Sequence, residues 1–351
     1  MSDCIKQLEQ ILSMDISSRM RTVVLSLYGG VLLESGDVKK AEGILREVIS
    51  SAEKTHTEYR ITSAYINYAL LKAETMDFSE AEKYYKKAIE IIEKNGEKGK
   101  LLTAFNNLGT LYLTTLRLEE AEMYYMRGLD IARETGNHSL EVIILNNLGS
   151  TMRERGLYKE AYDFYMKTMQ KAQEYGYREW VSHSMSNILI TYANFDKGLK
   201  IKEDLPLELE DILMYLDVPN EKAYGYIALM EYYTSVGKFE KVRKYIKAFK
   251  KLPAFVKEQY LLNYDFAMAR FYESLGNRRM SDYYMKKVEQ FTISIDDMRT
   301  KAELYRNLGD WYFEHNRLRK AKPMYKKAFE LKGYLSKEAL KLLEKRMEEI
   351  E

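Results

Sequence analysis

The chain has 351 residues; 46% are hydrophobic, 31% are charged and 4 are prolines, which is typical of a mostly helical protein with little disordered material. Its 55 Lys and Arg residues nearly balance 53 Asp and Glu residues, and the formal charge of +2 gives no global field that would attract nucleic acid or anionic lipid. The N-terminal sequence lacks the pattern of a secretion signal, and no apolar run approaches the roughly 20 residues of a membrane span. The sequence therefore predicts a cytoplasmic protein with neither a nucleic-acid nor a membrane partner.

Two sets of positions recur with the same spacing of 40 residues. They are the alanines Ala41, Ala81, Ala121 and Ala161 and the asparagines Asn67, Asn107, Asn147 and Asn187. A small residue precedes each alanine by 12 positions, and a leucine or tyrosine follows it by four. Apolar residues between these marks are spaced by three and four, which predicts two amphipathic helices per repeat. Small residues on the first helix allow close approach of the second, and the tyrosines Tyr85, Tyr125, Tyr165 and Tyr325 are predicted to fill the core.

In chain order, the repeats divide the sequence into four parts. These are an N-terminal capping helix in 1–19, repeats 1 to 5 in 20–220, repeats 6 to 8 in 221–334 and a C-terminal capping helix in 335–351. The two caps are predicted at 3–13 and 335–350, and a solenoid needs such ends to cover its terminal repeats. The first cap has no partner helix before it, which leaves open that the chain is part of a larger regulator.

Repeat 5 is predicted to be degenerate over 196–220. Its second helix should begin near Ile201, but the sequence there runs into Pro206, which disfavours a continuing helix and suits a helix start. We therefore expect a first helix at 181–195, a loop to 205 and a shifted helix at 206–217.

Two segments resemble the tetratricopeptide repeat signature. They are Leu108-Gly109-Thr110-Leu111-Tyr112 followed by Glu120-Ala121, and Leu148-Gly149 followed by Gly156-Leu157-Tyr158. A similar segment returns at 308–312. The repeat length is similar to that of the longer repeats of kinesin light chain, Pins/LGN adaptors, Rap-type peptide receptors and MalT-like regulators. This resemblance implies an all-α, right-handed superhelical solenoid of about eight helix-turn-helix repeats, whose first helices line a concave groove.

Residue patterns for catalysis or metal binding were not found in the sequence. The histidines His56, His138, His183 and His315 are far apart, and no two have the spacing that places two ligands on one helix face. The single cysteine, Cys4, is expected to be an ordinary thiol in the first cap. The sequence thus predicts a protein that is not an enzyme, with no catalytic residue, no metal site and no cofactor.

The recurring asparagines are the strongest candidates for a binding site. Asparagine is roughly 0.7 kcal/mol less favourable than alanine within a helix, so its return in four consecutive repeats requires a reason. One interpretation is a hydrogen-bond ladder between repeats; the other is recognition of a peptide backbone, because a primary amide offers a donor and an acceptor together. The resemblance implies that these positions face the groove. The predicted peptide-binding residues are Asn67, Asn106, Asn107, Thr110, Asn146, Asn147, Ser150, Arg153, Asn187 and Asn194.

This predicted groove is polar but almost uncharged, which argues against a clamp for a terminal carboxylate. Beyond repeat 5 the corresponding positions change to apolar and charged residues and predict a second surface: Tyr224, Ile227, Glu231, Phe266, Arg270 and Arg306.

We therefore predict a scaffold or adaptor that holds an extended peptide of a partner protein in the groove of repeats 2 to 5. The alternative is a sensory domain of a signalling or transcriptional regulator, in which a peptide or small ligand tightens the repeats. A helical-repeat RNA binder is disfavoured, because it would need a basic groove with stacking aromatics. The sequence does not determine the oligomeric state.

Overall fold

A computed structural model describes residues 2–55, 57, 61–335 and 337–350. His56 of the sequence analysis lies outside these residues. Within them the chain forms α-helices and a single 3-10 turn, Lys332–Tyr334, and contains no β-strand. The helices are α1 (Ser2–Ser13), α2 (Ser18–Glu34), α3 (Val38–Lys54), α4 (Thr62–Glu74), α5 (Phe78–Asn95), α6 (Lys98–Thr114), α7 (Leu118–Thr135), α8 (His138–Glu154), α9 (Tyr158–Tyr175), α10 (Arg178–Asn194), α11 (Leu205–Tyr215), α12 (Pro219–Ser235), α13 (Phe239–Lys250), α14 (Ala254–Gln259), α15 (Leu261–Ser274), α16 (Arg278–Ser294), α17 (Met298–Glu314), α18 (Leu318–Glu330) and α19 (Lys337–Glu348).

The helices pack as successive pairs within two compact units, one ending at Thr151 and the other beginning at Met152. In the first unit α2 packs on α3, α4 on α5 and α6 on α7. In the second unit α10 packs on α9 and α12, α12 on α13, α15 on α16, and α17 on α18. The order of helices gives eight helix-turn-helix repeats, and the predicted all-α repeat fold is confirmed. The predicted domain boundaries stay predictions.

The recurring alanines and tyrosines form the core of the repeats. Ala81 and Ala121 have no exposed surface, and Tyr125 and Tyr165 are equally buried. The small residue of the first helix lies against the tyrosine of the second: a Cβ atom added at Gly109 would come within 2.8 Å of the Tyr125 ring. This contact explains why the pattern pairs a small residue with a large aromatic one.

The turn between the two helices of most repeats contains one residue in the left-handed conformation. Glycine is favoured there because it has no Cβ atom to clash with the backbone. Among the described residues, seven have this conformation at the turn within a repeat, and three of them are not glycines. They are Gly36, Met76, Leu116, Gly156, Gly237, Gly276 and Asn316. Met76 and Leu116 therefore hold a conformation that side-chain-bearing residues rarely adopt.

Repeat 5 is irregular in the structure. Its first helix, α10, covers Arg178–Asn194, and after a loop α11 begins at Leu205 with Pro206 in its first turn. Although α11 has only 11 residues, it packs on α12: a Cβ atom at Gly225 would meet the Leu213 side chain at 2.6 Å. The shifted helix thus still provides the apolar side chain that fills the repeat.

In the predicted C-terminal cap, α19 covers Lys337–Glu348, and the side chain of Leu343 is buried. The repeat pattern does not predict α14, which follows Pro253 and has 6 residues.

Candidate functional site on the first helices

The recurring asparagines lie in the middle of the first helices α4, α6, α8 and α10. Gly109 faces the second helix of its repeat, and Asn107 precedes it by two residues, which turns its side chain by about 200° around the helix axis. The asparagine side chains therefore lie on the face of the first helix that points away from its partner.

In the first unit, amide side chains of neighbouring repeats form a chain of hydrogen bonds. Asn147 Nδ2 donates to Asn106 Oδ1 at 3.4 Å, and Asn106 Nδ2 donates to Asn107 Oδ1 at 3.2 Å. Asn107 in turn lies beside the Tyr85 hydroxyl; burial raises the pKa of Tyr85 and the Asn107 amide lowers it. These three asparagines are half-buried, so their outer edges contact solvent.

Asn67 has a different contact in the same unit. Its Nδ2 donates to the carbonyl oxygen of Ser26 at 3.3 Å, and its amide lies directly against Gly30. The Asn67 side chain thus joins α4 to α2.

The other predicted residues of the first unit surround this row with varying exposure. Thr110 is exposed, and its hydroxyl lies 3.0 Å from the Tyr125 hydroxyl. Ser150 is half-buried, whereas Asn146 is only 6% exposed and belongs more to the interior than to an open face.

In the second unit, Asn187 occupies the same repeat position but is buried, with 2% of its surface exposed. Its Oδ1 accepts a hydrogen bond of 2.6 Å from the Tyr224 hydroxyl and a longer one of 3.5 Å from Arg153 Nη1. Burial raises the pKa of Tyr224 to about 12, which keeps its hydroxyl protonated and able to donate. The structure therefore brings Arg153 and Asn187 together.

Asn194 is the last residue of α10 and is half-buried. In the part of the chain that the structure describes, its side chain makes no hydrogen bond to another predicted site residue.

Among the first helices of the later repeats, α12 and α15 carry a charged pair, whereas the asparagine position is occupied again by Asn307 in α17. Glu231 is 4% exposed and pairs with Arg270 at 2.5 Å. Burial raises the pKa of Glu231, and the Arg270 guanidinium partly offsets this effect. The predicted second surface thus contains a buried ion pair, while Ile227, which we expected on it, is 3% exposed and lies in the core.

Sequence reasoning missed a further group of charges in the second unit. Burial raises the pKa of Glu303, and the nearby Glu154 carboxylate raises it further, which places the end of α8 close to α17. Arg299 lies 3.9 Å from Glu303, and burial lowers its pKa. No sequence signal could have paired residues so far apart in the chain.

Among the described residues, no group of three or more His, Cys, Asp or Glu side chains could hold a metal ion. Cys4 is exposed. No helix in the described ranges is long and apolar enough to cross a membrane.

Comparison with known proteins agrees with this architecture. Residues 59–134 match the family model of the tetratricopeptide repeat. No curated protein matches the chain at the level of sequence.

The fold is similar to that of several solved structures. A Rap protein complexed with Competence and Sporulation Factor has a TM-score of 0.63 at 13% identity, covering 97% of this chain and 92% of that one. The apo quorum sensor NprR from B. thuringiensis has a TM-score of 0.60 at 14% identity, covering 93% and 91%. A STAND signal-transduction ATPase with a tetratricopeptide repeat sensor from Pyrococcus horikoshii has a TM-score of 0.57 at 23% identity over 72% of this chain. The present chain spans only 41% of the length of that ATPase.

At these identities the similarity is one of fold. Together with the repeat match and the helix pairs, it confirms the predicted class. Residues 59–134 match the tetratricopeptide repeat family, and the described helices have the fold of such repeats.

Proposed function

We propose that the chain is a non-enzymatic binding module that holds an extended peptide segment of a partner protein against the amide-bearing faces of its first helices. The observation that carries this proposal is the row formed by Asn106, Asn107 and Asn147 in the first unit. The row is half-buried and nearly uncharged, and it repeats from one helix pair to the next.

One hydrogen bond within the row lies at the upper end of the usual length range, and the other lies beyond it. They measure 3.2 and 3.4 Å, whereas N–H···O bonds in proteins usually measure about 2.7 to 3.2 Å. A primary amide has two donor hydrogens and an oxygen with two lone pairs, so one long bond leaves capacity for further bonds. An extended peptide backbone presents an N–H and a C=O to such an edge, and its shorter bonds would replace or supplement the ladder.

The ladder and the peptide interpretation are therefore compatible in geometry but differ in what the amides contribute. If the amides hold a peptide, removing Asn107 and Asn147 together costs about 2 to 4 kcal/mol of binding free energy. That corresponds to a roughly thirty- to thousandfold loss of affinity. If the amides serve only the fold, the same double variant loses stability, and a folded fraction binds normally.

The experiment begins by selecting ligands for the wild-type chain from a library of random linear peptides. The affinity of a selected peptide is then measured by fluorescence anisotropy for the wild type and for Asn107→Ala with Asn147→Ala, alongside thermal unfolding. Asn263→Ala is the matched control, since Asn263 is exposed on another first helix, α15. Unchanged affinity in a folded double variant would contradict the proposal.

A second candidate function is a sensor domain that changes conformation when a ligand binds. The similarity to part of a STAND protein with a tetratricopeptide repeat sensor, and to the quorum sensor NprR, favours this possibility. It requires a ligand with different affinities for two conformations. Small-angle X-ray scattering with and without a selected peptide tests it: a sensor changes its radius of gyration, whereas a rigid scaffold keeps the same value.

A further inference from the structure

A pocket of about 570 Å³ lies between α12 and α13 in the second unit, apart from the asparagine row. Lys244, Lys247 and Lys251 line it from α13 and its C-cap, and their spacing of three and four residues places them on one helix face. Lys222 and Tyr226 line it from α12, four residues apart. Four lysine side chains therefore line one concave site that also has an aromatic ring in its wall.

Most of this positive charge is not neutralised by the protein. Between residues 238 and 251 the chain has seven basic side chains and one acidic side chain, although its total charge is only +2. Within the described residues, Lys222, Lys247 and Lys251 form no ion pair. Three of the four lysines that line the pocket thus lack a carboxylate partner.

The carboxylate of Glu210 reaches α13 but is already engaged. It accepts a hydrogen bond of 2.6 Å from the Tyr233 hydroxyl and pairs with Lys241 at 3.0 Å and with Lys244 at 3.2 Å. Burial opposes the ionisation of Glu210, but these hydrogen bonds together lower its pKa to about 2. Glu210 therefore cannot neutralise the remaining lysines as well.

Helix electrostatics explain only part of the cluster. Cations near the end of a helix interact favourably with its dipole, which suits Lys247 and Lys251 at the end of α13. Lys222 lies near the start of α12, where the dipole disfavours a cation. Its presence opposite three other lysines adds repulsion that an anionic ligand would remove.

We propose that this pocket binds a nucleoside polyphosphate, with the phosphates among the lysines and the base against Tyr226 and Leu252. Lysine binds phosphate as a point charge, and ligand pockets commonly enclose about 300 to 1,000 Å³. A polyphosphate concentrates several charges in a small volume. Carboxylates on one side of an extended acidic peptide are instead roughly 7 Å apart, which matches a single compact pocket poorly.

The test uses the full chain and ATP that carries a fluorescent group on its ribose, measured by anisotropy at low salt. We expect Lys247→Glu with Lys251→Glu to weaken binding about tenfold or more, because two cations become anions. The matched control is Lys322→Glu with Lys326→Glu. These lysines are exposed on α18 with the same spacing, in a segment (317–332) that also has seven basic residues and one acidic residue.

Competition experiments identify the two parts of the ligand. Unlabelled AMP and inorganic tripolyphosphate should each compete at least about tenfold more weakly than ATP, since each lacks one recognised group. Tyr226→Leu, which keeps an apolar side chain, should weaken ATP binding severalfold and leave tripolyphosphate binding unchanged.

Several outcomes would overturn the proposal. These are the absence of ATP binding, an equal loss in the α18 control, and tripolyphosphate competing as well as ATP. Thermal unfolding of each variant confirms that a loss of binding does not come from a loss of the fold. None of these readouts depends on the asparagine row.

Discussion

Asn147 in the first unit and Asn187 in the second occupy the same position of consecutive repeats, yet their surroundings differ. Asn147 is half-buried and donates a long bond of 3.4 Å to another amide. Asn187 is 2% exposed and accepts a short bond of 2.6 Å from Tyr224. A recurring residue in a repeat protein can therefore be partly exposed to solvent in one repeat and buried in the next.

The two units also differ in how their first helices carry charge. The first unit presents neutral amides, which cost less to remove from water than charged groups do. In the second unit, Glu231–Arg270 and Asp265–Lys287 pair carboxylates that are almost fully buried with longer, more exposed cations. A buried ion pair is weak evidence for stability in itself, but losing one partner is strongly unfavourable. We expect the second unit to tolerate changes on its first helices less well than the first unit.

The largest effect is expected from Arg270→Ala. This change leaves the Glu231 carboxylate buried without its partner, which typically costs about 3 to 5 kcal/mol in the free energy of unfolding. Urea unfolding at neutral pH measures the loss. Glu231→Gln combined with Arg270→Ala should recover a large part of it, since no buried charge remains.

The deficit of Arg270→Ala should also depend on pH. Burial already raises the pKa of Glu231 in the native protein, and removing the guanidinium raises it further. A carboxyl whose pKa is higher in the folded than in the unfolded state stabilises the fold below its unfolded pKa and loses that contribution as pH rises through the folded pKa. The variant should therefore approach the wild type as pH falls from 7 toward 5. A difference that is constant over this range would show that Glu231 is not the cause.

The next effect concerns the close approach of helices in the first unit. Gly109→Leu places a side chain where a Cβ atom alone would come within 2.8 Å of the Tyr125 ring, so overpacking should cost about 1 to 3 kcal/mol or more. Gly99→Leu is the control on the same helix, because a Cβ atom at Gly99 meets nothing within 4 Å. Equal thermal stability of the two variants would mean that the helix contact is not as close as described.

The fold could be predicted from the sequence because its signal is periodic. An alanine followed after four residues by a leucine or tyrosine, as in Ala121 and Tyr125, recurs through repeats 1 to 4, and the spacing of 40 residues can be read without a structure. The interruption at Pro206 was equally visible, since proline has a local effect on the helix.

The remaining features have no periodic signal. The proximity of Glu154 to Glu303 depends on the packing of the whole second unit. The difference between Asn147 and Asn187 arises from Tyr224, a residue of the following repeat whose position in the sequence does not reveal its hydrogen bond. Sequence reasoning thus identified the candidate positions but not their separate surroundings.

The comparison of the two asparagines gives a direct test. Asn187→Ala leaves the buried Tyr224 hydroxyl and the Arg153 guanidinium without this acceptor, which should cost about 1 to 3 kcal/mol of unfolding free energy. Asn147→Ala removes only a long bond and gains helix propensity, so its effect should stay below about 1 kcal/mol. Chemical denaturation of both single variants is sufficient. If Asn147→Ala were the more damaging, the first-unit row would be structural.

The smallest effect is a gain in stability at the left-handed turns. Gly36 of the first unit and Gly156, Gly237 and Gly276 of the second have this conformation, whereas Met76 of the first unit adopts it with a φ of 64° although it has a side chain. An L-residue in the left-handed region destabilises the fold by roughly 1 to 2 kcal/mol, and glycine removes this cost. The greater freedom of glycine in the unfolded chain opposes that gain by roughly 0.4 to 1 kcal/mol. Because the Met76 side chain is 47% exposed, little packing is lost, and Met76→Gly should stabilise the protein by about 0.5 to 1 kcal/mol. Met76→Ala removes the same side chain but keeps the unfavourable φ, so it should not show this gain. Melting temperatures that rise equally for both variants would show that the side chain, and not the backbone conformation, is the source of the effect.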